Sequence, residues 1–293
     1  MLNSYAQRRF PLPSLYEIIE FHNDCLTVEH TWDIFAKNDA AIREDFALVT
    51  EDRISQRISK TVNVISPENI FVEEGVKMEF VTLNASTGPI YIGKNAEIME
   101  GSVIRGPFAL CEEAQVKLAS KVYGATTVGP HCRIGGEINN SVLFGYSNKG
   151  HDGFLGNSVL GEWCNIGADS NNSNLKNNYE EVKLWDYNTG RFAKTGLQFC
   201  GLMMGDHSKC GINTMFNTGT VIGVSVNIFG SGFPRNFVPS FSWGGASGFT
   251  EYKTNKVFEV AEVVMQRRGI IFDVKEQAIL EHVFEVSKKW RNE

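Results

Sequence analysis

Residues able to do chemistry cluster once in this chain: Asn148, Lys149, His151 and Asp152 fall within five positions, between Gly145 and Gly153. An imidazole titrates near neutrality, so it suits removing a proton from an amine that attacks an acyl carbonyl. Lys149 beside it suits an anionic group on the same substrate, and Asn148 is a further candidate contact. The plainer reading is a polar surface turn in which His151 closes a strand. Asp206 and His207, in "GDHS", read as a polar wall turn before they read as catalytic or metal-binding groups. Arg235, in "GFPRNF", is a candidate contact for the phosphates of an acyl donor or a brace for its own loop. "WDYNTGRF", Trp185–Phe192, reads as a protruding hairpin turning at Asn188–Gly190.

These candidates sit on a repeat. From Ile92 every sixth residue is aliphatic: Ile98, Ile104, Leu110, Val116, Val122, Val128 and Ile134. The ladder resumes at Phe154, Leu160 and Ile166, and again from Met204 through Cys210, Phe216 and Ile222 to Ile228. Four positions after each rung a small residue recurs (Ala96, Ser102, Ala114, Ser120), and glycine often follows a rung directly (Gly93, Gly129, Gly161, Gly205). Neither a 3.6 period nor simple alternation has this step. A triangular parallel β-helix does, with three six-residue sides per coil, rungs inside, and glycine supplying backbone angles that other residues resist. The interruptions Ile134–Phe154 and Ile166–Met204 predict loops leaving the wall, and loops on rigid scaffolds are where function concentrates. A shorter interruption, Asn84–Pro89, predicts a turn.

Composition narrows the class. The chain has 293 residues, formal charge −6 and 42% apolar content. It therefore carries no overall basic excess for nucleic acid or anionic membranes, and no apolar run approaches a membrane span. The six cysteines lack metal-ligand spacing and read as reduced core thiols of a cytoplasmic protein. No metal is expected, because a hexapeptide enzyme of the carbonic-anhydrase kind needs three histidines at one zinc and His131, His151 and His207 show no such spacing. Amphipathic spacing predicts helices at Ser14–His22, Asp39–Leu48, Phe258–Arg268 and Val274–Trp290, the last with Ile279, Leu280, Val283, Phe284 and Trp290 on one side. The expected division is a helical remnant or linker over 1–66, the β-helix over 67–248 and a helical extension over 249–293 that caps or braces it.

The ladder together with "YSNKGHDGFLG" and "LGEWCNIGADSNNSNLK" resembles the carboxy-terminal half of the bifunctional sugar-1-phosphate nucleotidylyltransferase/amino-sugar acetyltransferases. The resemblance spans about residues 67–245. It implies a left-handed coil, a homotrimer with active sites between neighbours, acetyl-CoA as donor, and a sugar phosphate as acceptor. On the family motif His151 falls at the base, and Asn174 at the asparagine that positions the sugar or thioester. The family tyrosine three residues after the histidine is Phe154 here, and no arginine matches its sugar-phosphate clamp; Arg133, Lys117 and Lys121 replace it by charge only. The nucleotidyl-transfer half needs a glycine-rich phosphate loop, and residues 1–66 contain no glycine. The functions weighed are thus an acyl-CoA-dependent acyltransferase on an amino-sugar phosphate or nucleotide-linked amino sugar, and a non-catalytic trimerisation or effector-binding module.

Overall fold

A computed structural model describes residues 25–291. Each coil is made of three short strands, the first being Asn63–Ile65, Ile70–Val72 and Lys77–Met78. Most wall strands pair in parallel with their counterparts one coil later, as Ile70 with Ile90 and Val72 with Ile92. Three stacks result. Side 1 runs from Asn63–Ile65 to Phe154–Gly156, side 2 from Ile70–Val72 to Phe237–Val238, and side 3 from Lys77–Met78 to Ser242–Gly245. The fold class is the expected one, mainly β and a left-handed parallel β-helix. The wall begins at Asn63, four residues before the expected boundary at 67.

The rungs face inward as predicted: Ile98, Ile104 and Leu110 are fully buried, and with Ile92, Val116, Val128 and Ile134 they form one continuous core. Small polar residues fit at the corners because their hydroxyls satisfy wall carbonyls. Ser120 Oγ donates to Lys117 O at 2.6 Å, and Ser147 Oγ to Gly161 O at 2.6 Å.

The glycines after the rungs serve a different purpose from the one expected. Gly93 and Gly167 are not among the positive-φ residues; left-handed backbone falls instead on Asn95, Glu113, His131, Tyr146 and Trp163. What Gly93 and Gly167 supply is clearance. A Cβ on Gly167 would lie 2.4 Å from the carbonyl carbon of Gly211 in the next coil, and one on Gly93 would lie 2.8 Å from that of Cys111.

The first interruption is not a loop. Register places Ile138, Leu143, Lys149 and Leu155 opposite Val122, Val128, Ile134 and Ile138, so the wall continues with shorter sides. Gly136 and Asn140, both with left-handed backbone, tighten the corners. The inward residue is Leu155, not Phe154, which is only half-buried. The period is hidden because two rungs are polar, Lys149 here and Asn172 one coil later, both buried.

The second interruption does leave the wall after Asn172. It carries an antiparallel hairpin, Lys183–Asp186 with Arg191–Lys194, at the expected position. Trp185 stacks on Phe237 at 4.1 Å and meets Trp290 edge-on at 5.5 Å, so the hairpin folds back over side 2.

Among the described residues four helices brace the solenoid. Helices α1 (Asp33–Ala36) and α2 (Asn38–Thr50) lie on side 2, where Asn38 donates to Ala125 O and accepts from Thr127 Oγ1. Helices α3 (Thr254–Gln266) and α4 (Val274–Arg291) pack through Val257, Ala261, Met265 and Leu280 on Trp163 and Phe241. They brace the corner between sides 2 and 3. Ile279 is an exception to the expected apolar face of α4, being exposed. The helix expected at Ser14–His22 lies outside the described residues.

The two uses of glycine are separable. Gly167→Ala should lower stability by about 1–3 kcal/mol, because a methyl must enter occupied backbone space. Gly211→Ala should change stability by no more than about 0.5 kcal/mol, since its nearest neighbour is 3.7 Å away and its φ is ordinary. Denaturation followed by circular dichroism compares them, and equal effects would refute the clearance account.

Candidate functional site

The sequence cluster is dispersed by the register of the wall. Lys149 occupies a rung and points into the lumen, with 1% of its surface exposed. Its ammonium donates to the carbonyls of Gly135 (3.2 Å), His151 (2.5 Å) and Asp152 (3.2 Å). Burial lowers its pKa to about 8, against the raising influence of Asp152. The expected contact with a substrate anion is therefore corrected: Lys149 is an internal tie between sides 3 and 1.

Asn148, its neighbour, necessarily points outward, since successive side chains alternate. It lies on the outer face of side 3, level with Arg133 and Asn165, and its Oδ1 accepts from Arg268 at 3.5 Å. That places it on a different face from the edge where His151 stands.

His151 is exposed at the corner from side 3 into side 1. Along the same corner Leu118 and Ile212 are 63% and 68% exposed. The following strand, Phe154–Gly156, forms the outer face of side 1. The ring of Phe154 and the amide of Asn174 both lie over Gly156, where a Cβ would stand 2.4 Å and 2.9 Å from them. Asn174 Nδ2 also donates to Asn157 Oδ1 at 2.8 Å. Asn174 thus stands over the Gly156–Asn157 end of that strand. Asn157 follows His151 by six positions, at most about 20 Å of extended chain.

Arg235 stands about three coils further along, exposed, with its guanidinium 5.8 Å from the Phe249 ring. Asp206 accepts the Glu162 amide at 2.7 Å, as its structural reading requires. His207 is buried against Trp163, and burial lowers its pKa to about 4. Burial likewise pushes the thiols of Cys132, Cys164 and Cys200 up to about 12. Cys25 is exposed and Cys111 half-buried, so those two are not core thiols.

Apart from Arg133, offered above only as a charge substitute for the clamp, the residues that sequence reasoning passed over lie on the outer face of side 3. Arg133, Lys209, Arg267 and Arg268 line a cavity of about 350 Å³ with Tyr146 and Trp163. The adjacent Arg267–Arg268 pair at the end of an expected helix was the visible signal. On side 2 a second, apolar cleft of about 360 Å³ lies between Met203, Val221, Val283 and Trp290.

A family model described as "Sugar nucleotidyl transferase" matches residues 2–54, a stretch that ends before the wall begins. No curated protein matches the chain. Similar solved structures include the polysialic acid O-acetyltransferase OatWY, at 14% identity and TM-score 0.33 over 66% of this chain and 87% of that one. Another is the UDP-N-acetylglucosamine acyltransferase of Francisella novicida, at 11% identity and TM-score 0.31 over 79% and 85%. A third is the N-acyltransferase AntD of Bacillus cereus in complex with dTDP and 3-hydroxybutyryl-CoA, at 11% identity and TM-score 0.28 over 77% and 96%. Likenesses this distant assign no chemistry to this chain.

Lys149 makes a test of its own placement. Its folded pKa of about 8 lies below the ordinary 10.5, so the unfolded chain holds more protons between those values. Stability contributed by this group therefore rises with pH through roughly 8 to 10.5. Wild type should gain on Lys149→Met by up to about 3 kcal/mol across that window. Urea titrations at pH 7.5 and 10 measure the gain, and parallel pH profiles would show that Lys149 is not buried as a cation.

Proposed function

We propose that the chain is an acyl-CoA-dependent acyltransferase acting on an amino-sugar phosphate or a nucleotide-linked amino sugar. The observation that carries this reading is the outer face of side 1: His151 stands at one edge, Phe154 and Gly156 form the floor, and Asn174 stands over the Gly156 end. The exposed His151 imidazole would take the proton of the amine as it attacks the thioester. The amine nitrogen bonds to the carbonyl carbon, the carbon–sulfur bond breaks so that coenzyme A leaves as its thiolate, and the amine's proton passes through His151 to that thiolate. Asn174 would orient the sugar from the far end, and Arg235 is a candidate for the donor's phosphates. Phe154 offers a flat apolar floor where the related motif has a hydroxyl.

The same face favours assembly. Side 2 is covered by α1, α2 and the hairpin and side 3 by α3 in its middle coils, whereas side 1 leaves Val103 and Tyr123 exposed, and its edge leaves Leu118 and Ile212 exposed. A homotrimer that brings a neighbour to this face would enclose His151 and exclude water from the acyl transfer. Such an assembly fits a trimerisation module too, and the buried Lys149 and the basic cavity on side 3 favour that second reading, an effector-binding scaffold.

Two measurements separate the readings. His151→Ala should keep fold and assembly while lowering acetyl transfer by roughly 10²–10⁴-fold, the usual share of a general base. Acetyl-CoA consumption against a panel of amino-sugar phosphates and nucleotide amino sugars reads this, and uniform inactivity of the assembled wild type would leave the scaffold standing. Light scattering should give three times the mass of one chain. The double substitution Leu118→Asp with Ile212→Asp should shift it toward monomer, and a wild-type monomer at micromolar concentration would sink the assembly.

A further inference from the structure

The cavity on side 3 is a built site that the acyltransferase reading leaves unused. Its wall side consists of Arg133, Asn148, Asn165 and Lys209, from four successive coils, and its roof is the end of α3 with Arg267 and Arg268. Four cations thus surround one cavity of about 350 Å³, and among the described residues no carboxylate lines it. Among the described residues none of the four is within ion-pair distance of an acid. Like charges held this way repel. Arg268 shows it, its pKa being lowered by burial first and then by Arg133 and Arg267.

A folded chain tolerates such a cluster when an anion completes it. Lys209 is partly committed, donating to His207 O at 2.9 Å, and Arg268 makes one long bond to Asn148. Neither uses up its donors, because an ammonium has three N–H groups and a guanidinium five. A second observation points the same way. A smaller cavity of about 70 Å³ adjoins through Lys209, and it is lined by His207 and Ser225. Both are buried, and among the described residues the His207 Nδ1 and Ser225 Oγ atoms find no hydrogen-bond partner. Unsatisfied buried polar atoms beside unpaired cations mark a place for a polar ligand and its waters.

We infer that this pocket binds the diphosphate group of an organic ligand. One phosphoryl group alone would leave two or more cations unmatched. Two linked groups match four donors and span the gap between the wall and α3, where arginine forks hold phosphate oxygens in pairs. Tyr146 and Trp163 border the site with their ring edges, while their faces are taken by the column from His131 to His207. The pocket therefore reads phosphate and offers the remainder of the ligand an apolar margin. It faces away from side 1, and it does not depend on acyl transfer at His151.

Calorimetric titration of the full chain with ADP, UDP, coenzyme A and inorganic pyrophosphate, each up to about 1 mM, tests the site. The expected result is binding of at least one of them with Kd below about 100 µM, weakened at least tenfold in Arg133→Gln/Arg268→Gln. Coenzyme A alone would tie the pocket to an acyl donor, ADP or UDP to a nucleotide, and pyrophosphate to the bare diphosphate. The variant should also melt no lower than the unliganded wild type, because a repulsion is removed. If that variant misfolds, Lys209→Gln with Arg267→Gln serves the same purpose. No binding by any of the four, or equal binding by a folded variant, overturns the inference.

Discussion

Each coil of this solenoid lies one strand spacing, about 4.8 Å, from the next. That closeness governs everything else in the molecule. It leaves no room for a Cβ at Gly167, where the backbone of Gly211 is already in contact. It also means that a lumen residue is covered above and below by its counterparts, so water cannot reach it. An aliphatic rung satisfies that condition without further help. A polar rung does so only by bonding to the wall itself, as Lys149 does with three carbonyls, and as Asn172 does by accepting from Gly156 N at 2.9 Å and donating to Gly156 O at 3.0 Å.

The same spacing turns the surface into columns. Residues one coil apart in sequence become neighbours, so a property repeated at the coil period is gathered into a line. His131, Tyr146, Trp163 and His207 hold the same left-handed corner in successive coils and stack at 4.7, 4.2 and 6.2 Å. Left-handed backbone at residues this bulky costs of order 1–3 kcal/mol each, and ring stacking offsets part of that cost. The column in turn gives α3 and α4 something to pack on. Because Arg267 and Arg268 follow directly on the last turn of α3, the packing that braces the wall also roofs the cationic cavity.

Coverage then divides the three sides. Side 2 is occupied by α1, α2 and the hairpin, and side 3 by α3 in its middle coils. Side 1 leaves Val103 and Tyr123 exposed on its outer face, and its edge carries the exposed imidazole. Chemistry that requires access and chemistry that requires enclosure by charge are thereby assigned to different faces of the same coils.

The coil architecture was legible because its cause is local: a lumen lined at every sixth residue writes an aliphatic period directly into the chain. The hairpin at Asn188–Gly190 and the helices α2, α3 and α4 were legible for the same reason, as turn chemistry or amphipathic spacing. What the sequence could not show was where the period continued under polar residues. Sides shortened at Gly136 and Asn140 kept Ile138, Leu143 and Leu155 in register, yet Lys149 hid the rung and made wall look like loop. Four neighbouring candidates were consequently read as one cluster, though alternation along a strand sends Asn148 and Lys149 to opposite faces. The cavity of Arg133, Lys209, Arg267 and Arg268 was invisible for the converse reason. Its members are up to 135 positions apart, and only the stacking of coils and the docking of α3 bring them to one place.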